Sequence, residues 1–356
     1  MKKIVTILGA RPQFIKAAAV SRAAKNFPVK EVIVHTGQHF DANMSDIFFK
    51  QMNVPRPDYH LEINNLSHGA MTGRMLEEIE KVLQIEKPDI VLVYGDTNST
   101  LAGALAAKKL NIQVAHVEAG LRSFNMDMPE EINRILTDRI SDFLFCPTKT
   151  ALKNLKKEGF EGFDNQVHLV GDVMFDAALF YEKQSDKISK IIQQLNIKKN
   201  EFILCTVHRQ ENTDDPDRLI SIINALNEIS KATQIILPLH PRTKKILKEL
   251  GLTLSFEPIN PLGYFDIIQL LKNCLLVMTD SGGMQKEASF FKKYCITLRD
   301  ETEWVELVEG KANYLAGAET EKIIHNFLML KEKPFLGISN LYGDGNASDR
   351  ILSILK

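Results

Sequence analysis

The sequence predicts a doubly wound α/β fold made of two Rossmann-like halves facing across a cleft. Short apolar runs alternate with amphipathic helical stretches along nearly the whole chain, as expected for strands covered on both faces by crossover helices. At 356 residues the chain is long for one core, which favours two domains. The apolar runs also fall into two series, with a junction near Gly171 to Val173.

The first series opens with a strand at 3–8, which turns through Gly9-Ala10-Arg11-Pro12 into a helix. Proline suits a first helical turn, where its missing N–H costs nothing. A helix N-terminus attracts anions, and Arg11 and Lys16 add positive charge there. The turn has one glycine where a Gly-x-Gly-x-x-Gly fingerprint would have three, so no bound NAD is inferred. A second strand is expected at 31–36. The histidine spacing of His35-Thr36-Gly37-Gln38-His39 can bind zinc on a helix, but here it straddles a strand end and contains glycine, so no metal site is expected. Strands at 90–94, 114–117 and 143–146 complete the first sheet, with a helix at 101–110 whose alanines allow close packing.

The second series has strands at 202–207, 235–239, 275–279 and 294–298, with helices at 216–231 and 263–272 between them. A short helix at the end of the sequence crosses back to the first domain. The expected domains are 1–170, with the acidic cluster, and 171–345, which binds nucleotide, with 346–356 returning to the first.

Chemistry concentrates where strands end. Tyr94-Gly95-Asp96-Thr97, His116-Val117-Glu118-Ala119-Gly120-Leu121-Arg122 and Pro129-Glu130-Glu131-Ile132-Asn133-Arg134 place acids after two successive strands and in the loop beyond. Carboxyl ends of neighbouring parallel strands line one crevice, so these acids should converge on a ligand. Carboxylates sharing an enclosed site push each other's proton affinities apart, which suits paired acid and base work. A lone Asp after a strand is more often a helix cap, but acids in this arrangement favour a site.

Thr279-Asp280-Ser281-Gly282-Gly283 ends a strand and starts a helix without Cβ bulk, so backbone N–H groups and the Ser281 hydroxyl can approach a diphosphate. Glu287, about one turn on, is placed to accept both hydroxyls of a ribose. His208-Arg209 follows the first strand of the second series and suits proton transfer or phosphate binding; His240-Pro241-Arg242 repeats the pattern more weakly.

Composition excludes other classes. A formal charge of −1 argues against electrostatic nucleic-acid binding. Cys146, Cys205, Cys274 and Cys295 are far apart in apolar stretches, which fits buried free thiols in a reducing cytosol. The apolar run at 4–10 is broken by Arg11 and Lys16, too early for a signal peptide, and no run approaches a membrane span. The expectation is a soluble cytoplasmic protein with neither membrane nor nucleic-acid partners.

These motifs, in this order and over essentially the whole chain, resemble the non-hydrolysing UDP-N-acetylglucosamine 2-epimerases. Residues 37–44, 123–134 and 301–306 are most similar to the branch acting on UDP-2,3-diacetamido-2,3-dideoxyglucuronate. The resemblance implies a GT-B architecture, a homodimer, a UDP-sugar substrate in the interdomain cleft and no redox cofactor. It implies Asp96, Glu118 and Glu130 as acid–base candidates, with His208 near the phosphates or the reacting bond. Arg11, Lys16, Ser281, Gly282, Gly283 and Glu287 match UDP-binding positions, and Arg122 and Arg209 complete the substrate-binding set. Gln38, Arg74, Arg209 and His240 match a second, regulatory UDP-sugar site in which Asp41 stands where the family has glutamine. A sugar carboxylate would need a cation, for which Arg122, Arg139 and Arg299 are candidates.

The C2 proton of such a sugar has no adjacent carbonyl, so inversion by transient oxidation would need a nicotinamide site that the sequence does not show. Elimination of UDP to a 2-acetamidoglucal, followed by re-addition, needs acid–base groups near C2 and positive charge at the departing diphosphate. Three alternatives share the nucleotide half: a GT-B glycosyltransferase, a hydrolysing epimerase and a catalytically silent UDP-sugar sensor. A transferase would not require the acidic cluster.

Overall fold

A computed structural model describes residues 1–38, 56–336 and 341–356, and of Arg11 the backbone only. The chain divides into two compact units, Met1–Ala177 with Asn340–Lys356, and Ala178–Ser339. The divide falls inside the helix Val173–Ile188, beyond the junction expected at 171. The first turn of that helix belongs to unit 1 because Val173 is part of its core and Asp176 accepts hydrogen bonds from Ala347 N (3.1 Å) and Ser348 N (2.7 Å), the start of the helix Ala347–Leu355.

Unit 1 is built on a parallel sheet of β1 (Lys2–Leu8), β2 (Val29–His35), β3 (Tyr59–His60), β4 (Ile90–Tyr94), β5 (Gln113–Val117), β6 (Phe143–Cys146) and β7 (Gln166–Leu169), in the order β3-β2-β1-β4-β5-β6-β7. Every residue of β4 is buried, as in a central parallel strand covered on both faces. One face packs on the helices Arg11–Ala24 and Ala347–Leu355, through Phe14, Ala17, Val20, Ile351 and Leu355. The other packs on His68–Glu86 and Asn98–Lys109, where small Ala102 and Ala106 let the helix approach the sheet. Chain direction along the sheet reverses between β1 and β4, and ligands of such folds bind beyond the carboxyl ends of the strands at that point.

Unit 2 repeats the plan with β8 (Phe202–Thr206), β9 (Gln234–Ile236), β10 (Leu276–Thr279), β11 (Cys295–Thr297) and β12 (Asn313–Leu315), in the order β12-β11-β10-β8-β9. Its switch point lies between β8 and β10. The GT-B class expected from the sequence, two Rossmann-like parallel-sheet units, is therefore the fold. β9 stops short of the expected 235–239 because Pro238 cannot donate to a ladder; that residue makes an isolated bridge to Ile259. β3, β7 and β12 were not anticipated. All four cysteines are buried and free, and burial pushes the Cys274 and Cys295 thiols up to about 12. Among the described residues no helix is long and apolar enough to cross a membrane.

Candidate active site

Unit 1 brings its chemistry together at the switch point. A Cβ on Gly9 would lie 2.0 Å from Ser99 Oγ and 2.3 Å from Thr36 Oγ1, so close approach dictates glycine after β1. Gln13 then ties the two switch-point turns together. Its buried carbonyl accepts from Gly9 N (2.8 Å) and Ala10 N (2.9 Å), and its amide reaches Tyr94 O (2.8 Å) and Thr97 Oγ1 (3.0 Å).

β4 and β5 pair in register, Tyr94 against Val117, so Asp96 and Glu118 leave adjacent strand ends. Glu118 has φ of 77°, in the left-handed region. For a non-glycine residue this costs on the order of 1 kcal/mol and persists only where surroundings enforce it. Both its N–H and that of Ala119 donate to Phe145 O, at 3.1 Å each. The buried Lys16 of the first helix forms an ion pair with the Glu118 carboxylate. A Cβ on Gly95, itself at φ 64°, would lie 3.3 Å from Glu118 Oε2 and 3.4 Å from Lys16 Nζ, so this turn packs directly on the pair. Lys16, expected as a diphosphate ligand, is paired with this carboxylate inside unit 1.

Asp96 is fixed by the helix Pro129–Ile140. Its Oδ2 accepts from Arg134 Nε (3.1 Å) and Nη2 (2.7 Å), while its backbone carbonyl accepts from Asn133 Nδ2 (2.9 Å). Arg134 also pairs with Glu131, which accepts from Ser123 N and Phe124 N at 2.9 Å each and so closes the preceding loop. Burial alone would raise the Glu131 carboxyl, but the two backbone donors and Arg134 together hold it below its ordinary range. This helix is inverted relative to a soluble amphipathic helix. It buries Glu131, Asn133, Arg134, Thr137 and Asp138 while leaving Ile132 41% and Leu136 46% exposed. Glu130, the expected acid–base residue of this segment, lies exposed on the first turn, outside the buried cluster.

Asp138 is fully buried. Its Oδ1 lies 2.7 Å from His116 Nδ1, and its Oδ2 accepts from Gly120 N (3.0 Å) and Arg122 Nη1 (2.7 Å). Burial would raise this carboxyl too, but His116 and Arg122 hold it low. The remaining donors of Arg122 go to Glu158 (Nε 2.7 Å, Nη2 2.8 Å) and Leu121 O (2.7 Å). A buried guanidinium so engaged clamps unit 1. Arg139 lies over the Phe163 ring at 3.9 Å, and Arg299 Nη1 donates to Glu303 Oε2 at 2.9 Å. All three arginines considered for a sugar carboxylate are thus committed to protein partners.

In unit 2 the buried Asp280, at the end of β10, organises the turn after β8. Its oxygens accept from His208 N (3.0 Å), Arg209 N (3.0 Å) and Asn212 Nδ2 (3.2 Å), and Oδ1 lies 3.3 Å from His208 Nδ1. The His208 side chain is 52% exposed, and Arg209 is half-buried. Ser281 caps the helix Gly282–Phe290 by accepting from Met284 N at 3.5 Å. The paired glycines differ in their reasons. A Cβ on Gly282 would sit 2.2 Å from Glu303 Oε1, whereas one on Gly283 would meet nothing within 4 Å, leaving that helix start open. Glu287 is buried and accepts from Tyr264 Oη at 3.1 Å.

The residues matched to a regulatory site are divided. Gln38 Oε1 accepts from Ser99 N (3.1 Å) and Ser99 Oγ (2.7 Å) in unit 1. Arg74 is exposed beside Glu77 at 2.9 Å in the same unit, and exposed His240 caps the helix Pro241–Glu249 in unit 2. Asp41 and His39 lie outside the described residues, as does the Arg11 side chain.

Sequence reasoning assigned no role to Gln13, His116, Glu131, Arg134 or Asp138. The last three share one helix face at spacings of three and four residues, so charge on the face opposite Ile132 and Leu136 was the available signal.

The family described as UDP-N-acetylglucosamine 2-epimerase matches residues 22–356. The UDP-2,3-diacetamido-2,3-dideoxy-D-glucuronate 2-epimerase of Pseudomonas aeruginosa is 57% identical over 99% of both chains. The crystal structure of Methanocaldococcus jannaschii UDP-GlcNAc 2-epimerase in complex with UDP-GlcNAc and UDP aligns with a TM-score of 0.89 at 46% identity, covering 99% of each chain. That of the Neisseria meningitidis UDP-GlcNAc 2-epimerase bound to UDP-GlcNAc aligns at 0.88 with 32% identity, again over 99% of each.

Proposed function

The chain belongs to the UDP-N-acetylglucosamine 2-epimerase family, and from that premise we propose that it inverts C2 of UDP-2,3-diacetamido-2,3-dideoxyglucuronate by eliminating UDP and adding it back. It is a UDP-sugar 2-epimerase, an isomerase. The observation that carries the mechanism is the pair of carboxylates at adjacent strand ends, Asp96 on Arg134 and Glu118 on Lys16, with Glu118 in left-handed backbone. One carboxylate takes the C2 proton as the C1–O bond to UDP breaks, giving the glycal. Protonation at C2 from the opposite face, with UDP returning to C1, gives the epimer. Two fixed acid–base groups suit this reaction because the proton leaves one face and arrives on the other.

Unit 2 holds the nucleotide in this reading. The open helix start at Gly283, with Ser281 and Gly282, offers N–H groups to the diphosphate, and Arg209 and His208 add donors beside it. Glu287 accepts the ribose hydroxyls. Lys16 acts on Glu118 and not on phosphate, balancing the charge of a proton-transfer group.

The uronate is favoured over UDP-GlcNAc by the 57% identity to the Pseudomonas enzyme, against 46% to the M. jannaschii one. Incubation with each substrate in D2O, read by proton NMR, tests both levels. Deuterium should enter C2 of the product without added nicotinamide, and kcat/KM should be at least about tenfold higher for the uronate, roughly 1.4 kcal/mol in the transition state. Unlabelled product after full turnover rejects elimination. Equal turnover of UDP-GlcNAc rejects only the substrate assignment, and net release of UDP would mark a hydrolase or transferase.

A further inference from the structure

Asp138 and His116 hold both carboxylate-bearing turns of unit 1 at once, although neither side chain is exposed. His116 Nε2 lies 2.7 Å from Gly95 O, a carbonyl that can only accept, so this nitrogen donates. Its Nδ1 faces the Asp138 carboxylate at 2.7 Å, so the ring donates from both sides. Gly95 immediately precedes Asp96 and stands at φ 64°. The other oxygen of Asp138 takes the N–H of Gly120, at φ 81°, two positions after Glu118. A Cβ on Gly120 would fall 2.5 Å from Ala151 O, so that turn has little room to find another geometry. One buried carboxylate thus reaches the Asp96 turn through an imidazole and the Glu118 turn directly.

We propose that Asp138 and His116 are a positioning pair that sets the relative placement of Asp96 and Glu118 for proton transfer at C2. This rests on the functional reading above. Neither residue touches substrate; the pair acts through the Gly95 carbonyl and the Gly120 amide. A displacement near 1 Å between reacting groups can cost about 10²-fold in rate, so a pair with this reach controls turnover without contributing an atom to the reaction. The inverted helix has the same logic, because Asn133 and Arg134 fix Asp96 from the helix that carries Asp138.

His116→Phe keeps a ring of similar bulk and removes both donors. In variants that retain the wild-type far-UV spectrum, kcat should fall about 10²-fold while the Kd for UDP stays within about threefold. His116→Gln, which restores one donor, should recover to within about tenfold of wild type. If His116→Phe does not fold, Asp138→Asn gives the parallel test, with the same split between kcat and UDP affinity expected. A folded variant with wild-type kcat overturns the inference. So does a variant in which kcat and UDP affinity fall together, or a His116→Gln as impaired as His116→Phe, since either marks a purely structural pair. Wild-type enzyme that incorporates no deuterium at C2 removes the functional reading itself. Deuterium incorporation by wild type alongside an unimpaired His116→Phe removes only the positioning role.

Discussion

The two units share a fold plan but present different chemistry at their switch points. In unit 1 the buried and half-buried charges of the candidate site lean on one another: Glu118 on Lys16, Asp96 and Glu131 on Arg134, and His116 and Arg122 on Asp138. In unit 2 the buried carboxylate of Asp280 arranges backbone amides, and the helix start at Gly283 is open. A proton-transfer site needs charged side chains held rigidly at chosen points, and only a mesh of counter-charges does that out of water. A diphosphate site needs donors pointing outward, which a helix N-terminus supplies without side chains. The consequence is that substitutions in unit 1 should act on turnover and those in unit 2 on affinity.

The sharpest way to break this contrast is Asp96→Asn and Glu118→Gln. Each should lower kcat by roughly 10²–10⁴ with little change in UDP affinity measured by calorimetry. A comparable loss of UDP affinity would place these acids on the nucleotide and erase the distinction.

Acid offers the next test, because buried titratable groups are concentrated differently in the two units. His35, stacked on Phe14 at 5.0 Å, is pulled from its ordinary 6.5 to about 4 by burial and then by His60. A base whose folded value is depressed stabilises the fold fully above 6.5 and loses that contribution as pH falls towards 4, about 3 kcal/mol in all. Glu131 and Asp138, held low, add to the loss only below their ordinary values of 4.5 and 3.8. The carboxylates held low in unit 2, Glu303 and Asp186, likewise matter only below 4.5. Amide exchange, corrected for intrinsic rate, should show β2 losing protection between pH 6.5 and 4.5 while β10 keeps its own. Equal loss in both strands would show that acid sensitivity is not a property of unit 1.

Glu287→Ala should weaken UDP by about 2 kcal/mol through loss of a charged acceptor, with kcat at saturation less affected. UDP affinity left intact would remove the proposed ribose contact. The finest comparison lies within one turn. Gly282→Ala must push Glu303 aside and should destabilise unit 2 by about 1–3 kcal/mol, whereas Gly283→Ala should leave stability within about 0.5 kcal/mol and weaken UDP. Thermal melts and UDP titrations of the two variants separate packing from approach.

How much of this was readable without coordinates also differs between the units. The strands at 90–94 and 143–146 were read to the residue because fully buried parallel strands are continuous apolar runs bounded by polar turns. β7, with the sequence Gln-Val-His-Leu at the sheet edge, and β12, only Asn-Tyr-Leu, carry no such signal. The turn at Ser281, Gly282 and Gly283 was legible as the start of a helix because it is local backbone geometry, which sequence encodes directly. The supports of the acidic half were not, because Lys16 meets Glu118 and His116 meets Asp138 only after the sheet has folded. Charge type could be read along the chain; which charges neutralise one another could not. Arg122 is an example, since its carboxylate partners Asp138 and Glu158 lie 16 and 36 residues further along the chain.

Unit 1 is assembled from two stretches of chain, with the whole of unit 2 between them. On the ribosome this fixes an order of completion. Residues 178–339 emerge as one run and can close as soon as they are out. The sheet of unit 1, although made first, lacks the helix Ala347–Leu355 and the cap it receives from Asp176 until that entire run has been translated, a delay on the order of ten seconds. During that interval Phe14, Val20 and Val173 lack their late-arriving cover from Ile351, Leu352 and Leu355. The nascent chain is therefore most prone to aggregation through unit 1, and chaperone contacts during synthesis should map to the helix Arg11–Ala24.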